Sequence, residues 1–167
     1  ATRVTPDGDL VLLADQDRRE WDHELIREGH ALVRSCLADN EPGPYQLQAA
    51  INAVHTDATD AAQTDWRQIL VLYDQLLHHQ PTPIVALNRA VAVAEVEGPA
   101  SALALLERLP LAGYRVFHAV RADLLRRSGR IDEAALAYDA AIAVTTNPGE
   151  VSLLRRRRAA LSHACQA

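Results

Sequence analysis

The chain is poor in the residues on which several fold classes depend. Its 167 residues include no methionine and only 4% aromatic residues, with two tryptophans, four tyrosines and one phenylalanine. Alanine, leucine and valine dominate the apolar content instead. β-Sandwiches and barrels draw heavily on aromatic residues, whereas small apolar residues suit helices that pack closely together. The composition therefore predicts an all-α fold.

Cysteines and long apolar runs are also scarce. Cys36 and Cys165 lie far apart without a CxxC pair, which indicates intracellular thiols rather than a disulfide framework or a zinc site. The sequence contains neither a secretory signal pattern nor a run of 18 apolar residues. We therefore expect a cytoplasmic protein that does not contact the membrane. Because the chain starts at Ala1 and lacks methionine, we also expect a fragment of a longer polypeptide.

The chain also has no excess of positive charge. The formal net charge is −5 and the isoelectric point is about 5.8, whereas generic nucleic-acid binding needs a basic surface. The length suits one domain or a tight two-lobed one with a sizeable core.

One pattern recurs at a nearly fixed interval between residues 65 and 146. Each copy places three residues at offsets of four and three, on one face of a helix. From Ile69 to Ala102 is 33 residues, and from Ala102 to Ala134 is 32. The three copies are Ile69, Tyr73 and Leu76; Ala102, Leu106 and Leu109; and Ala134, Tyr138 and Ala141.

A helix pair repeated at roughly 34 residues resembles the tetratricopeptide repeat. In the last copy Gly129, Ala134, Tyr138 and Ala141 match the motif's turn glycine, first alanine, aromatic residue and second alanine, and in the first copy Pro81 matches the closing proline. The first-helix signature positions are degenerate. This resemblance implies a tetratricopeptide-like, right-handed helical solenoid of about eight helices.

The turn-forming residues divide the chain into segments. Residues 1–16 are expected to form a linker or strap, with a turn signal at Pro6, Asp7 and Gly8 that could close a short hairpin. Residues 17–167 form the helical repeat domain. Its first helix is expected over residues 17–38, its short fifth helix through Leu109, its seventh over residues 131–145, and its C-terminal cap helix over residues 148–164.

No catalytic or metal-binding constellation stands out. The sequence has no GxSxG, Walker or HExxH motif. His78 and His79 are adjacent and diverge by about 100° on a helix, so they cannot chelate one ion together. The basic run Arg155–Arg158 spans most of a helical turn, which suits a solvated cap helix better than a DNA-binding patch. We therefore expect no catalysis, cofactor or metal.

A solenoid without catalytic residues acts through its surface. Asn88 and Arg89 stand out as polar residues within the apolar stretch 84–96, where they either bind a partner or link neighbouring helices. The predicted partner-contact face consists of polar residues on the first helix of each pair: Gln46, Asn52, Asn88, Arg89, Arg121 and Asp123.

Four stretches carry a more specific resemblance. They are residues 10–21 (LVLLADQDRREW), 43–55 (GPYQLQAAINAVH), 83–95 (PIVALNRAVAVAE) and 113–130 (GYRVFHAVRADLLRRSGR). These stretches resemble the C-terminal tetratricopeptide-like extension of extracytoplasmic-function RNA polymerase sigma factors. The resemblance implies a non-catalytic regulatory domain of a bacterial transcription initiation factor, whose promoter-binding regions lie upstream.

The resemblance also implies the class of partner. The upstream sigma regions of the same chain, RNA polymerase, or a small protein with a DGPF-type motif would bind this domain. The alternative is a free-standing tetratricopeptide adaptor or a ligand-sensing module unrelated to transcription. An upstream helix-turn-helix region would distinguish the two.

We predict that residues 1–167 alone show no sequence-specific DNA affinity at physiological salt, because an acidic chain offers few phosphate contacts. Electrophoretic mobility shift with promoter and scrambled fragments would measure this. Promoter-selective retardation by the isolated chain would contradict it.

Overall fold

A computed structural model describes residues 10–38 and 42–164 of the chain. Within these residues the fold is all-α, with short 3-10 turns at Leu13–Asp15, Arg18–Glu20 and Ala61–Gln63. The eight α-helices of this part are α1 (His23–Leu37), α2 (Pro44–Asp57), α3 (Trp66–His79), α4 (Pro83–Val96), α5 (Pro99–Leu106), α6 (Arg115–Arg127), α7 (Ile131–Ala143) and α8 (Pro148–Ala164).

The described chain forms two compact units. The first contains residues 11–92, and the second contains Leu10 and residues 93–164, so the division falls within α4. In the first unit α1 packs on α2 and α2 on α3, and in the second α5, α6, α7 and α8 pack in chain order. Packing between successive helices is the arrangement of a helical solenoid. The all-α repeat fold expected from the sequence is confirmed.

Proline and glycine mark the helix ends. Pro44, Pro99 and Pro148 stand at the first helical position, where a missing N–H costs no hydrogen bond. After α6, Gly129 has a φ of 73°, a left-handed conformation that suits glycine. Its N–H donates to the Arg126 carbonyl, and the Arg130 N–H donates to the Leu125 carbonyl. This is a Schellman motif, and it turns the chain from α6 into α7.

The first helix begins later than the predicted start at Asp17. The Asp17 carboxylate accepts from the Arg19 N–H and caps only the 3-10 turn Arg18–Glu20. Trp21 is extended with a ψ of 153°, which interrupts the helix. Asp22 then provides the N-cap of α1 by accepting from the N–H groups of Glu24 and Leu25. Asp17 and Asp22 both act as N-caps, and the predicted start was wrong because it assigned α1 to the first of them.

The fifth and seventh helices end earlier than predicted. Helix α5 stops at Leu106 rather than reaching Leu109, and the Arg108 and Leu109 N–H groups donate instead to the carbonyls three residues before them. Leu109 directly precedes Pro110, which disfavours the helical region at that residue. Helix α7 stops at Ala143 rather than Thr145. The turn signal at Pro6, Asp7 and Gly8 lies outside the described residues.

Most of the repeat residues are buried in the helix interfaces, as the sequence predicts, whereas Tyr73 and Leu109 are half-buried. Ile69, Ala102, Ala134 and Tyr138 are fully buried, and Leu106 is nearly so. In the first unit Leu47, Ile51, Ile69 and Leu76 pack in one cluster with Val85 and Ala92 of α4. The small side chains of Ala102 and Ala134 let helix axes approach closely.

A buried arginine joins the N-terminal segment to the end of α2. Arg18 donates from Nη1 to the carbonyl oxygens of His55 and Ala58, both at 2.7 Å, and its guanidinium lies over the Trp21 ring. The C-terminal carbonyls of a helix carry partial negative charge, which offsets the cost of burying this cation. Burial, and to a lesser degree the Arg18 charge, lower the pKa of His55.

The last helix has the cap that the sequence predicts. The Asn147 side-chain oxygen accepts from the N–H groups of Gly149 and Glu150 at the start of α8. Within the basic run, Arg158 donates to both carboxylate oxygens of Asp139 on α7, at 3.0 and 3.1 Å. The run therefore contributes to packing between α7 and α8.

Ala134→Leu should lower the free energy of unfolding by about 1 to 3 kcal/mol, because extra methylene groups overpack a site with no exposed surface. Ala143→Leu is the matched control, since Ala143 is exposed at the end of the same helix. Urea unfolding of the purified variants would measure both, and equal stability of the two would contradict the interface assignment.

Candidate functional site

The six residues of the predicted contact face belong to different units. Four lie in the first unit and two in the second, and their environments differ. The first-unit residues are Gln46, Asn52, Asn88 and Arg89, and the second-unit residues are Arg121 and Asp123.

Arg89 forms an ion pair between neighbouring helices. Its Nε lies 2.5 Å from Oδ1 of Asp74 on α3, and the arginine side chain is 27% exposed. This contact is the helix-linking alternative that the sequence left open for Asn88 and Arg89. Asn88 is exposed on the same helix. Arg89 therefore has a packing role in the first unit, whatever else it contacts.

Asp123 is a hub of charged contacts within the second unit. Its carboxylate lies 2.8 Å from Arg126, 3.9 Å from Arg127 and 3.8 Å from Arg157 of α8. The hydrogen bond from Arg126 to Asp123 is the main cause of the raised Arg126 pKa. Asp123 thus links α6 to α8 through an ion pair with Arg157. Arg121 is half-buried on α6, and its charge adds a small part to the lowering of the Glu133 pKa, which arises mainly from Arg130.

Gln46 and Asn52 line a groove between α1 and α2. The groove has a volume of about 600 Å³ and is mostly apolar. Its α1 wall includes Leu25, Ile26, Gly29, Leu32, Val33 and Cys36, and its α2 wall includes Tyr45, Ala49 and Ala53. A few polar groups on apolar walls are typical of surfaces that bind a ligand or a peptide.

The groove exposes unusually large apolar side chains. Leu25 is 63% exposed, Leu32 is 59% exposed and Tyr45 is 84% exposed. Isolated exposed leucines are common, but these three line one groove, and a contiguous apolar patch marks an interaction surface. The sequence predicts a helix over these residues but not which of its apolar side chains stay exposed. The sequence does contain a sign of this exposure. Leu25 and Ile26 are adjacent, as are Leu32 and Val33, so the apolar face of α1 is wider than one neighbouring helix covers.

A histidine holds the two walls together at one end of the groove. Nε2 of His30 on α1 lies 2.7 Å from Oγ1 of Thr56, and its Nδ1 lies 3.2 Å from Oδ1 of Asp57. These contacts join the middle of α1 to the C-terminal end of α2. Both ring nitrogens have partners on α2, so the orientation of the His30 ring in the groove wall is fixed.

The polar groups that line the groove are few. They are the amides of Gln46 and Asn52, the hydroxyls of Tyr45 and Thr56, the His30 ring and the exposed Cys36 thiol. His78 and His79 are exposed on α3, away from the α1–α2 lining. In the part of the chain that the structure describes, the His, Cys, Asp and Glu side chains form no group of three that could hold a metal ion.

The described structure is thus an all-α helical-repeat fold with an exposed apolar groove. Residues 1–37 match a family of unknown function, DUF6596, and this match ends with α1. An uncharacterized protein of Rhizobium meliloti (strain 1021) is 47% identical over 155 residues, which cover 92% of this chain and 37% of the relative. The chain thus spans little more than a third of that relative's length. No solved structure matches. Among the described helices, none is long and apolar enough to cross a membrane.

Arg89→Ala should lower the free energy of unfolding by less than about 1 kcal/mol, because the Asp74 side chain is 52% exposed and such pairs are screened by water. A double-mutant cycle with Asp74→Ala would measure the coupling, with Asn88→Ala as the exposed control on the same helix. A coupling energy near zero would show that the two charges do not stabilise the unit.

Proposed function

We propose that this chain is the non-catalytic C-terminal regulatory and protein-interaction domain of a bacterial extracytoplasmic-function sigma factor. The protein-interaction part is carried by one observation, the exposed apolar groove between α1 and α2. An apolar surface of this kind on a helical repeat favours contact with another polypeptide.

The transcription part rests on the four stretches that resemble the sigma-factor extension, such as residues 43–55 and 83–95. Residues 43–55 contribute most of α2, which is one wall of the groove. The Rhizobium meliloti relative is much longer than the matched region, which agrees with an extension attached to other domains. A domain with these roles works in the cytoplasm, where the upstream sigma regions, RNA polymerase or a DGPF-type protein are available as partners.

A second candidate is a free-standing adaptor or ligand-sensing module. The groove volume of about 600 Å³ lies within the range of small-molecule sites, which favours this alternative on one point. A ligand sensor would bind a small apolar compound without RNA polymerase. An interaction domain of a sigma factor would act only as part of a polypeptide that binds polymerase.

The test uses the longer natural polypeptide that contains these residues. We expect it to bind core RNA polymerase and to start transcription at specific promoters, whereas residues 1–167 alone do neither. Pull-down with purified polymerase and in vitro transcription would measure this. A longer polypeptide that fails to bind polymerase would contradict the sigma-factor proposal and leave the adaptor.

Arg121→Glu in that polypeptide should lower transcript yield at least about tenfold. Breaking an interfacial charge pair from one side typically weakens the free energy of binding by about 2 to 5 kcal/mol. Arg121 is a clearer choice than Arg89 or Asp123, whose charges hold helices together. Arg108→Glu, at an exposed position, is the control for the change in charge. Full activity with Arg121→Glu would remove Arg121 from the contact face, and a lower melting temperature would assign it to packing.

A further inference from the structure

Four residues form a single stripe along the open side of α1. Leu25, Gly29, Leu32 and Cys36 follow one another at spacings of four, three and four, which places them on one face of the helix. All four line the groove, and Leu25, Leu32 and Cys36 are exposed. We call these four residues the α1 ridge. A seam with this spacing is the one that a second helix packs against.

Gly29 makes a notch in the middle of the α1 ridge. A Cβ atom built at Gly29 would meet no other heavy atom within 4 Å, so the space beside the helix backbone is open. Glycine in a helix interior lowers helix stability relative to alanine, so Gly29 makes α1 less stable than an alanine would at the same position. Small residues of this kind let another helix approach the backbone closely. From Leu25 to Cys36 the ridge is about 16 Å long, which matches three turns of a partner helix.

The charges that border the α1 ridge are acidic. Glu28 lies one turn from both Leu25 and Leu32, and Asp22 lies one turn before Leu25. Arg27 and Arg34 do not stand three or four residues from any ridge position, so they lie on another side of the helix. The α2 residues that line the groove carry no formal charge. The border of the groove therefore favours a partner with positive charge.

We propose that the groove between α1 and α2 binds an amphipathic α-helix of a partner protein, whose apolar side chains contact the α1 ridge and whose lysine or arginine residues face Glu28. This is the helix-in-groove mode of recognition, in which residues at i, i+3 or i+4, and i+7 anchor the helix. The inference deepens the protein-interaction part of the proposed function and does not depend on the sigma-factor part.

The same charges disfavour two other occupants. In a symmetric pairing of α1 with a second copy of itself, the acidic border of one copy would face that of the other, which is repulsive. An anionic lipid surface would also be repelled by Glu28 and Asp22, and the ridge lacks the basic border that interfacial helices use. A basic helix meets no such repulsion.

The binding test uses the 167-residue chain and three fluorescein-labelled peptides of 18 residues. The first has leucines at helical spacing with lysines on the polar face, the second has glutamates in place of the lysines, and the third has the first composition in scrambled order. Fluorescence anisotropy should show at least tenfold tighter binding of the lysine peptide than of either control. Raising the salt concentration should weaken that binding, because the charges are near the surface.

Substitutions on the ridge test the location. Gly29→Leu should weaken the lysine peptide at least tenfold by filling the notch, without lowering the melting temperature, since its Cβ meets nothing. Ala31→Leu is the control because Ala31 is exposed on the other side of α1. Glu28→Lys should reverse the preference between the lysine and glutamate peptides, whereas Glu97→Lys changes the net charge equally and should not. In a Cys165→Ser background, the lysine peptide should also slow alkylation of the exposed Cys36.

Several results would overturn the proposal. These are equal affinity for all three peptides, binding that Gly29→Leu leaves unchanged, or no binding at all. Concentration-dependent dimerisation abolished by Leu32→Ser would make a second copy the occupant instead. Binding to vesicles with 30% anionic lipid, abolished by the same variant, would make it a membrane surface. If the longer polypeptide does not bind polymerase, the sigma-factor proposal is refuted, but these peptide results are unaffected.

Discussion

Close packing of helices at buried alanines is the constraint on which the described fold depends. Ala102 of α5, Ala122 of α6 and Ala134 of α7 have no exposed surface, and each lies on the face that its helix turns inward. A larger side chain at such a position would push two helix axes apart. Tyr138 of α7 is the largest of the fully buried side chains. The scarcity of aromatic residues in the chain follows from this mode of packing.

Charged side chains add contacts between helices that the apolar faces already bring together. Arg89 reaches Asp74, Asp123 reaches Arg157, and Arg158 reaches Asp139, each across a helix interface. These pairs are partly exposed, so each contributes little to stability by itself. The polar side chains that stand out along the chain, such as Arg89, nevertheless have partners in these ion pairs. In this chain, polar residues that stand out in the sequence, such as Arg89 and Asp123, form contacts between helices.

The groove arises because α1 has more apolar surface than α2 covers. Ile26 and Val33 turn toward α2 and are half-buried, whereas Leu25 and Leu32 beside them stay exposed. His30 links α1 to the C-terminal end of α2, and Arg18 ties the segment before α1 to the same end, so polar contacts contribute to holding the groove walls in place. An apolar surface kept open in this way is available to another helix.

The sequence alone determines the all-α class, the repeat period, most helix boundaries and the buried faces, because these depend on residues within about four positions of one another. Asn147 and Pro148 mark the start of α8, and Ala134 and Tyr138 mark the inner face of α7, through their local spacing and turn chemistry. Only the tertiary structure shows that Arg89 and Asp123 hold helices and that Leu25 and Leu32 remain exposed. Those outcomes depend on contacts between residues 15 to 34 positions apart, such as Arg89–Asp74 and Arg157–Asp123. Local patterns do not encode which side chain an arginine will reach, or how much of an apolar face a neighbouring helix will cover.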